Sequence, residues 1–307
     1  MNNIETKWLK DFLALSDVRS FSQAAEIRNV TQPAFSRRIK SLESELGVEL
    51  VFRGKTPIEL TVAGRQFKST AISILGQLEE EANRLSGSLS RGCHTVRLSA
   101  VHSIAITLLP KLHESLFKPR QNSTRLAVVA NEVKDGVDLL VDGKCDFLFS
   151  FYEDKLQVSP YRSIYLGKSY LYCVSGTDGK GNPLFSLDND DNAQVPCLDY
   201  TPESYMGRII QRNNAQLTQN SICSASMTNF IKALALNGQG VCWLPDYSIR
   251  KELEEKKLVI LTERKPIAME LYIYRYHTRL HETCETIWNE LKQICPIKDL
   301  CGTLLVG

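Results

Sequence analysis

Residues 31–46 have the sequence TQPAFSRRIKSLESEL, which combines a helix start, an apolar face and a basic face. Thr31 is predicted to cap the helix with its hydroxyl, and Pro33 suits the first turn, where its missing N–H would have had no partner. The apolar stripe at helical spacing consists of Phe35, Ile39, Leu42 and Leu46. The other face carries Gln32, Ser36, Arg37 and Lys40, with Arg38 at its edge. Such side chains bond phosphates and base edges, although a basic helix face is by itself more often solvated.

The preceding residues predict a second helix. Ser22 is expected to start the short helix SQAAEIR (22–28), whose small and apolar residues offer a close-packing surface. Asn29 then begins a tight turn into the next helix. Two helices joined in this way are typical of a helix-turn-helix, whose second helix enters the DNA major groove.

The residues after this pair predict a wing. Gly47 ends the helical pattern, as glycine commonly does just past a helix. GVELVFR (47–53) and PIELT (57–61) form two short extended pieces joined across residues 54–57. Arg53 and Lys55 are predicted to contact the phosphate backbone or the minor groove; the alternative is that both are exposed loop cations.

A set of motifs in the first 64 residues carries a family resemblance. They are Trp8, Phe12, SFSQAA (20–25), TQPAFS (31–36), Ile39, Leu42-Glu43, GVEL (47–50) and LTVAG (60–64). This pattern resembles the N-terminal domain of LysR-type transcriptional regulators, whose wing often holds a longer basic run than this one. NIETKWL (3–9), SYMGR (204–208) and SASM (224–227) are similar to the hypochlorite-responsive members. The candidate DNA-binding residues are Ser22, Gln32, Pro33, Ser36, Arg37, Arg38, Lys40, Arg53 and Lys55.

A long helix is predicted to follow the wing. Thr61 would cap it, and no proline interrupts the chain before about Ser90. An apolar seam with alternating spacings of four and three residues consists of Ala71, Leu75, Leu78, Ala82, Leu85 and Leu89. This heptad seam predicts that two chains pair along the helix; the alternative is that the helix packs on its own domain. A twofold dimer would bind double-stranded DNA at an imperfect inverted repeat.

Beyond a hinge rich in Ser and Gly, residues 86–93, the pattern changes to alternating strands and helices. Strands are predicted at 96–100, 126–130, 147–150, 171–174, 221–223, 241–244, 259–261 and 270–276, and helices at 103–116, 132–142, 204–214, 226–237, 246–254 and 281–294. This alternation predicts an α/β domain with mostly parallel sheets. The LysR resemblance implies a periplasmic-binding-protein-like (type 2) effector domain with two subdomains and a ligand cleft between them.

The predicted organisation therefore has three parts. They are an all-α winged helix-turn-helix domain (1–60), a linker helix with its hinge (61–92) and an α/β effector domain (93–307). Subdomain I would comprise about 93–163 and 267–307, and subdomain II about 164–266.

Three predicted strands run directly into hydroxyl-rich helix starts, at residues 99–103, 200–204 and 224–226. Helix N-termini at the carboxyl ends of strands present free N–H groups and the positive end of the helix dipole. If they converge on one cleft, as the resemblance implies, they would suit a small anion or a polar oxygen-bearing effector. The alternative for each serine is a helix cap without a ligand. Candidate effector-binding residues are Ala100, His102, Ser103, Thr201, Ser204, Tyr205, Met206, Ser224, Ser226 and Met227.

Two sulfur-bearing residue types bear on redox sensing. Met206 and Met227 lie in the first turns of two of these helices; methionine is usually flexible core filler. In line with the resemblance, the alternative is that oxidation to sulfoxides makes the packing polar and shifts the domain arrangement. The nine cysteines form no C-x-x-C pair, which indicates reduced thiols rather than disulfides or a zinc site. Cys223 is the first candidate among them for a redox switch.

Composition limits the classes of function. The net charge is +2, but residues 1–68 hold eleven Lys or Arg against eight Asp or Glu, which predicts a local DNA footprint. We find no signal-peptide pattern and no apolar run long enough to span a bilayer, and so expect a cytoplasmic protein without membrane contact. Neither G-x-S-x-G nor a dinucleotide loop occurs, so we expect no enzyme, cofactor or metal.

The sequence thus predicts a DNA-binding transcriptional regulator, dimeric through its linker helix and tetrameric through its effector domains, with RNA polymerase as a further candidate partner. An effector or oxidant in the cleft would change the spacing of the paired recognition helices. Two alternatives stay open. One is a regulator that responds to a small carboxylate; the other is a ligand receptor without DNA function, which leaves the first ninety residues unexplained.

Overall fold

The computed structural model describes residues 3–85, 94–121, 124–187, 194–217, 220–262, 264–278 and 280–297. The α-helices are α1 (Thr6–Val18), α2 (Phe21–Ile27), α3 (Gln32–Leu46), α4 (Val62–Leu85), α5 (His102–Thr107), α6 (Leu109–Leu112), α7 (Val133–Val141), α8 (Tyr205–Arg212), α9 (Thr228–Leu236), α10 (Asp246–Glu254) and α11 (Glu282–Ile294). The strands are β1 (Val51–Phe52), β2 (Glu59–Leu60), β3 (His94–Val101), β4 (Thr124–Asn131), β5 (Phe147–Phe151), β6 (Tyr161–Gly176), β7 (Cys197–Tyr200), β8 (Ser221–Ala225), β9 (Cys242–Pro245), β10 (Leu258–Ile260) and β11 (Ile267–Tyr276). The predicted hinge lies outside the described residues.

The first domain is a three-helix unit with a short wing. α1, α2 and α3 enclose one apolar cluster, in which Phe12, Phe35 and Ile39 are fully buried. This burial confirms most of the predicted stripe on α3. Asn29 adopts a left-handed φ of 52° in the turn between α2 and α3, and β1 pairs antiparallel with β2 to form the predicted wing.

Two helix starts differ from their predictions. Ser20, and not Ser22, is the N-cap of α2, and its hydroxyl accepts the N–H of Gln23 at 3.4 Å. Thr31 occupies the N-cap position of α3, but its side chain makes no capping bond. Pro33 follows in the first turn, where its restricted φ already matches the helix. Thr61 does cap α4 as predicted, since its hydroxyl accepts the N–H of Gly64 at 2.9 Å.

The seam of α4 divides into two parts. Ala71 is fully buried and Leu75 is partly buried, both against the first domain. Leu78 is 51% exposed, and Ala82 is exposed as well. The early part of the seam therefore packs on its own domain, as the alternative held, whereas Leu78 and Ala82 of the later part are not covered by the described residues. The side chain of Leu85 and all of Leu89 lie outside the described part.

The effector domain contains a mixed seven-stranded sheet and a two-stranded one. The order in the larger sheet is β10-β6-β11-β5-β3-β4, with β9 also paired to β6. β3 is parallel to β4 and to β5, whereas β6 and β11 are antiparallel to all their partners. The prediction of mostly parallel sheets is therefore wrong, because two long strands run against their neighbours along the whole domain.

Other predictions failed for local reasons. The single helix predicted at 103–116 is divided into α5, α6 and a π-helical turn over His113–Phe117. Pro110 lies at this division, where it lacks the N–H that a continuous helix needs. β7 is missing from the predicted strand ranges, although a strand was expected to end at the helix start of 200–204; its four residues include Asp199, a residue type depleted in strands.

The sheet elements define two lobes. Lobe I contains β3, β4 and β5 with α5, α7 and α11; lobe II contains β7 to β10 with α8, α9 and α10. A bridge between Cys197 and Val241 connects the β7–β8 pair to β9, and β6 and β11 are shared by both lobes. One apolar cluster includes side chains from both lobes. Among the described residues, we find no helix with the length and apolar character needed to cross a membrane.

Candidate DNA-binding surface and effector cleft

The outer face of α3 presents cations that form no ion pair with another described residue. Gln32, Pro33, Arg37 and Lys40 are exposed, and Ser36 is half-buried. Neither Arg37 nor Lys40 forms an ion pair with a described residue. Their charged groups are therefore available to phosphates or base edges, as a recognition helix requires.

Arg38 has a different environment from its neighbour Arg37. Its Nη1 donates to Oδ2 of Asp11 at 3.2 Å, and Arg28 Nε donates to Oδ1 of the same carboxylate at 2.7 Å. Asp11 is fully buried, whereas the two arginine side chains are about 30% exposed. This carboxylate therefore joins α1 to both helices of the helix-turn-helix. Sequence reasoning missed Asp11, although a charged residue beside Phe12 on the apolar face of α1 was a usable signal.

Arg53 ties the wing to the recognition helix. Its Nη2 donates to Oε2 of Glu43 at 2.6 Å, and its guanidinium lies 5.3 Å from the centre of the Phe21 ring. Oε1 of Glu43 also accepts the backbone N–H of Leu50 at 2.9 Å. Glu43 is thus a buried carboxylate that holds both Arg53 and the backbone of Leu50, a role that sequence reasoning did not identify. This pairing holds Arg53 at the base of the wing, beside Ser36, whose hydroxyl is 3.5 Å from its Nη1.

The remaining two candidate DNA-binding residues lie on exposed positions. Lys55 is at the tip of the wing, where its Nζ donates to Oε2 of Glu59 at 2.6 Å. Both side chains are more than half exposed, and such surface pairs contribute little to stability. Ser22 is exposed within α2. All nine candidates therefore lie on α2, α3 and the wing.

In the effector domain, β3, β7 and β8 each run directly into the predicted helix starts. The first of these helix starts, that of α5, makes a contact between the two lobes. Ser103 Oγ in α5 lies 2.9 Å from the hydroxyl of Tyr247 in α10, and both side chains are buried. This hydrogen bond is a direct polar connection between lobe I and lobe II.

A second connection is aromatic. The ring of Tyr205, at the start of α8, stacks on Phe151 of β5 with 4.2 Å between the ring centres and an angle of 11° between the planes. Burial raises the pKa of Tyr205 to about 12. The phenol is therefore neutral at ordinary pH, which suits a stacked position between lobes. Sequence reasoning missed the two partners, Phe151 and Tyr247, because neither is near the three hydroxyl-rich helix starts in the chain.

The start of α8 is shaped by a close approach of backbone segments. Ser204 Oγ accepts the N–H of Gly207 at 3.0 Å and donates to the carbonyl oxygen of Thr201 at 2.7 Å. A Cβ atom on Gly207 would lie 2.1 Å from that same oxygen. Ser204 is therefore engaged as a helix cap, which matches the alternative given for it.

The other candidate effector-binding residues differ in exposure. Ala100 is buried, and His102, Thr201 and Ser226 are half-buried. Ser224 is exposed and lines a cavity of about 330 Å³ that lies wholly within lobe II.

The two candidate methionines differ most in exposure. Met206 is 4% exposed and belongs to the main apolar cluster, whereas Met227 is 49% exposed at the N-cap of α9. The seven described cysteines are free thiols.

Comparison with known proteins agrees with this architecture. Residues 6–65 match the family model described as bacterial regulatory helix-turn-helix protein, lysR family. Residues 90–296 match the family model of the LysR substrate binding domain. The HTH-type transcriptional regulator YjiE of Escherichia coli (strain K12) is 39% identical over 298 residues, which cover 96% of each chain.

Two solved structures are similar over the full length. DarR of Vibrio fischeri, solved in complex with DNA, has 42% identity and a TM-score of 0.60, covering 94% of this chain and 99% of that one. HypT of Salmonella typhimurium, described as a hypochlorite-specific LysR-type transcriptional regulator, has 38% identity and a TM-score of 0.60, covering 95% and 99%.

A winged helix-turn-helix, a long connecting helix and a two-lobed α/β domain together define a DNA-binding transcriptional regulator with an effector-binding domain. The domain matches and the full-length relatives support the same class. The chain belongs to the LysR-type transcriptional regulator family.

Proposed function

We propose that this regulator responds to an oxidant of the hypochlorite type at the boundary between its two lobes, and transmits the response to paired recognition helices on DNA. The observation that carries this proposal is the position of the two methionines. Met206 directly follows Tyr205, whose ring stacks on lobe I. Met227 directly precedes Thr228, whose hydroxyl accepts a hydrogen bond from Tyr200 at 3.2 Å.

Oxidation would act differently at the two thioethers. Met227 is the accessible one, so it should react first. A sulfoxide at Met206 would place a strongly polar oxygen inside the apolar cluster without a partner, which is costly. Relief of that cost requires rearrangement beside the Phe151–Tyr205 stack, and so changes the angle between the lobes. The resemblance to HypT, itself described as hypochlorite-specific, supports this choice of effector.

The DNA side of the proposal rests on a dimer. Ile74 and Leu78 are more than 40% exposed on α4, and Ala82 is exposed one turn further along. A second copy of α4 would cover these apolar side chains. The pair would place two α3 helices on one face of double-stranded DNA carrying an imperfect inverted repeat. We propose further that effector domains associate into a tetramer and that the protein acts in the cytoplasm.

The test compares three single Met→Leu variants in a gel-shift titration with hypochlorite, using the DNA upstream of the gene. Met206→Leu and Met227→Leu should bind untreated DNA normally but should lose most of the oxidant-dependent change. Met269→Leu is the matched control, because Met269 is also buried but lies in β11; it should respond as the unaltered protein does. Mass spectrometry should find the sulfoxide at position 227 at the lowest dose.

An unchanged response in the Met206→Leu/Met227→Leu double variant would remove the methionine mechanism. A thermal-shift screen of small carboxylic acids, run beside this titration, tests the rival effector class. A melting temperature raised by one of these acids, with no effect of hypochlorite, would favour that rival. Loss of a salt-sensitive preference for dyad DNA would contradict the DNA side of the proposal.

A further inference from the structure

The linker helix α4 contacts lobe I of the same chain through residues 68–72. Lys68 is a charged residue that is only 4% exposed. Its Nζ donates to Oδ1 of Asp17 in α1 at 2.9 Å and lies 4.0 Å from Oδ1 of Asp142, which follows α7 in lobe I. One ammonium group therefore joins the first domain, the linker helix and the effector domain.

The burial of this ammonium group depends on the contact. A buried charge is costly unless charges of opposite sign compensate it, and here two carboxylates do so. Asp17 is 58% exposed and Asp142 is 39% exposed, so both remain hydrated at the edge of the contact while Lys68 lies inside it. Separation of α4 from lobe I would take away the second carboxylate and expose the ammonium group to water.

The next residue of lobe I fits closely against α4. Gly143 has a left-handed φ of 68°, and a Cβ atom on it would lie 2.9 Å from Cδ1 of Ile72 and 3.5 Å from Cα of Ser69. The hydroxyl of Thr70 lies 3.5 Å from that of Thr278, which follows β11. A charge pair, a close approach and a hydroxyl contact therefore meet within little more than one turn of α4.

Cavities border this contact along α4 in both directions. One, of about 430 Å³, lies between the first domain and lobe I and is lined by Arg65 and Asp138. The other, also of about 430 Å³, lies between a later part of α4 and lobe I and is lined by Gly76 and Cys145. The contact is therefore a short segment between two gaps. Because domains joined by small polar contacts move readily, the position of the first domain on lobe I depends on few side chains.

We propose that this contact holds the first domain and α4 on lobe I of the same chain, and that Lys68 is a positioning residue that passes a movement of lobe I to the helix-turn-helix. A shift of Asp142 with lobe I moves Lys68, and the bond to Asp17 carries the shift to α1. Asp11 in turn joins α1 to α2 and α3. This transmission step rests on the proposed function, because the oxidant response supplies the movement; the holding step does not.

The holding step is tested by a disulfide between positions 69 and 143 of the full chain. Cβ of Ser69 lies 3.8 Å from a Cβ built on Gly143, a distance that is usual for a disulfide. Ser69→Cys/Gly143→Cys, treated with oxidised glutathione, should form a cross-link within one chain. Gly76→Cys/Gly143→Cys is the matched control; position 76 lies about 10 Å further along α4, so its cross-link should form at least about tenfold more slowly.

The role of Lys68 in holding is tested in the same cross-linking assay. Lys68→Met should slow the 69–143 cross-link about fivefold to tenfold, because the contact is open for more of the time. The fold should persist, since the substitution leaves two partly exposed carboxylates and no buried charge. Lys144→Met is the matched control: Lys144 bonds to the same Asp142 at 3.0 Å, but from an exposed position, so its loss should leave the rate unchanged.

Peptide mapping by tandem mass spectrometry identifies the linked positions, and denaturing gels without reductant distinguish a link within one chain from a link between two. Equal rates for the 69–143 and 76–143 pairs would overturn the proposal. A 69–143 link that joins two chains would overturn it as well, and so would an unchanged rate in Lys68→Met.

The transmission step is tested by a gel shift with hypochlorite on the DNA upstream of the gene. Lys68→Met should bind untreated DNA within about twofold of the unaltered protein but lose most of the hypochlorite-dependent change. Lys68→Arg keeps the charge, and the cavity beside Lys68 gives the longer side chain room, so this variant should retain the response. A merely structural role would instead lower basal binding and the melting temperature together.

The two steps and the proposed function fail in different ways. A full hypochlorite response in Lys68→Met would overturn the transmission step. If the unaltered protein showed no hypochlorite response, the proposed function and the transmission step would both fail. The cross-linking rates need no DNA and no hypochlorite, so they would still decide whether Lys68 holds α4 on lobe I.

Discussion

The outer face of α3 and the boundary between the lobes use polar side chains in opposite ways. On α3, Arg37 and Lys40 are exposed and make no ion pair with a described residue. At the lobe boundary, Ser103 bonds to Tyr247 and Ser204 caps α8. A surface for a large anionic polymer can be built on one helix, because the polymer approaches from outside. A binding site for a small effector between two lobes instead depends on how segments that are distant in the chain come together.

This difference also applies to the effect of substitutions. A change on the α3 face should alter DNA affinity and leave folding intact, whereas a change at the lobe boundary should alter folding first. Between these extremes are Asp11 and Glu43, which are buried carboxylates that position the DNA-binding elements.

Gly207→Ala should have the largest effect, because the added Cβ would lie 2.1 Å from the carbonyl oxygen of Thr201. We expect a loss of about 3 kcal/mol in the free energy of unfolding of the effector domain. Gly76→Ala is the control: its Cβ meets nothing within 4 Å in the interior of α4, so it should gain about 0.5–1 kcal/mol. Urea denaturation followed by circular dichroism measures both. Equal midpoints for the two variants would refute the close approach at α8.

Asp11→Ala should destabilise the DNA-binding domain by about 2 kcal/mol, because it removes the shared buried acceptor of Arg28 and Arg38. The penalty is held to this size because the freed guanidinium groups can turn to solvent. DNA binding should fall together with the thermal stability of the domain. Glu59→Ala, which breaks only the exposed pair with Lys55, should cost less than about 1 kcal/mol. If Asp11→Ala were as stable as Glu59→Ala, the proposal that Asp11 holds α1 against α2 and α3 would be wrong.

Arg37→Ala and Arg38→Ala should separate affinity from stability at adjacent positions. Arg37→Ala should reduce specific DNA affinity by about 1–3 kcal/mol if it contacts a base, with no change in melting temperature. Arg38→Ala should lower the melting temperature as well, because it loses the bond to Asp11. Fluorescence anisotropy at two salt concentrations, beside thermal melts, distinguishes them. The same pattern for both variants would contradict the contrast drawn between these two arginines.

The smallest effect near neutral pH concerns Tyr205. Burial raises its pKa to about 12, against about 10 in an unfolded chain. Below about pH 10 the phenol is neutral in both states, so its contribution to stability is complete there. Between about pH 10 and 12 the unfolded chain ionises first, and the folded state loses stability. Unfolding midpoints at both ends of this window should fall less in Tyr205→Phe than in the unaltered protein; an identical fall would show that Tyr205 does not contribute.

The sequence predicted local features well and long-range ones poorly. The stripe Phe35, Ile39 and Leu42 was correctly predicted to be buried, because helical periodicity alone decides which side faces a core. The N-cap of α2 lies two residues before the predicted Ser22, because Ser20 supplies the capping hydroxyl, and Thr31 takes the predicted N-cap position of α3 without the predicted capping bond. The antiparallel course of β6 and β11 was not foreseen, since an apolar strand has the same composition in either direction.

By itself, the sequence determined the class of protein: the two short helices, the wing and the long linker helix follow from residues close together in the chain. The tertiary structure alone decided that Arg38 is paired with Asp11, whereas Arg37 forms no ion pair with a described residue. It also decided that Ser103 meets Tyr247 across a separation of 144 residues and that α4 and lobe I enclose a cavity. The physical reason is that helix formation depends on contacts a few residues apart, whereas pairing, closure and cavities depend on which distant surfaces come together.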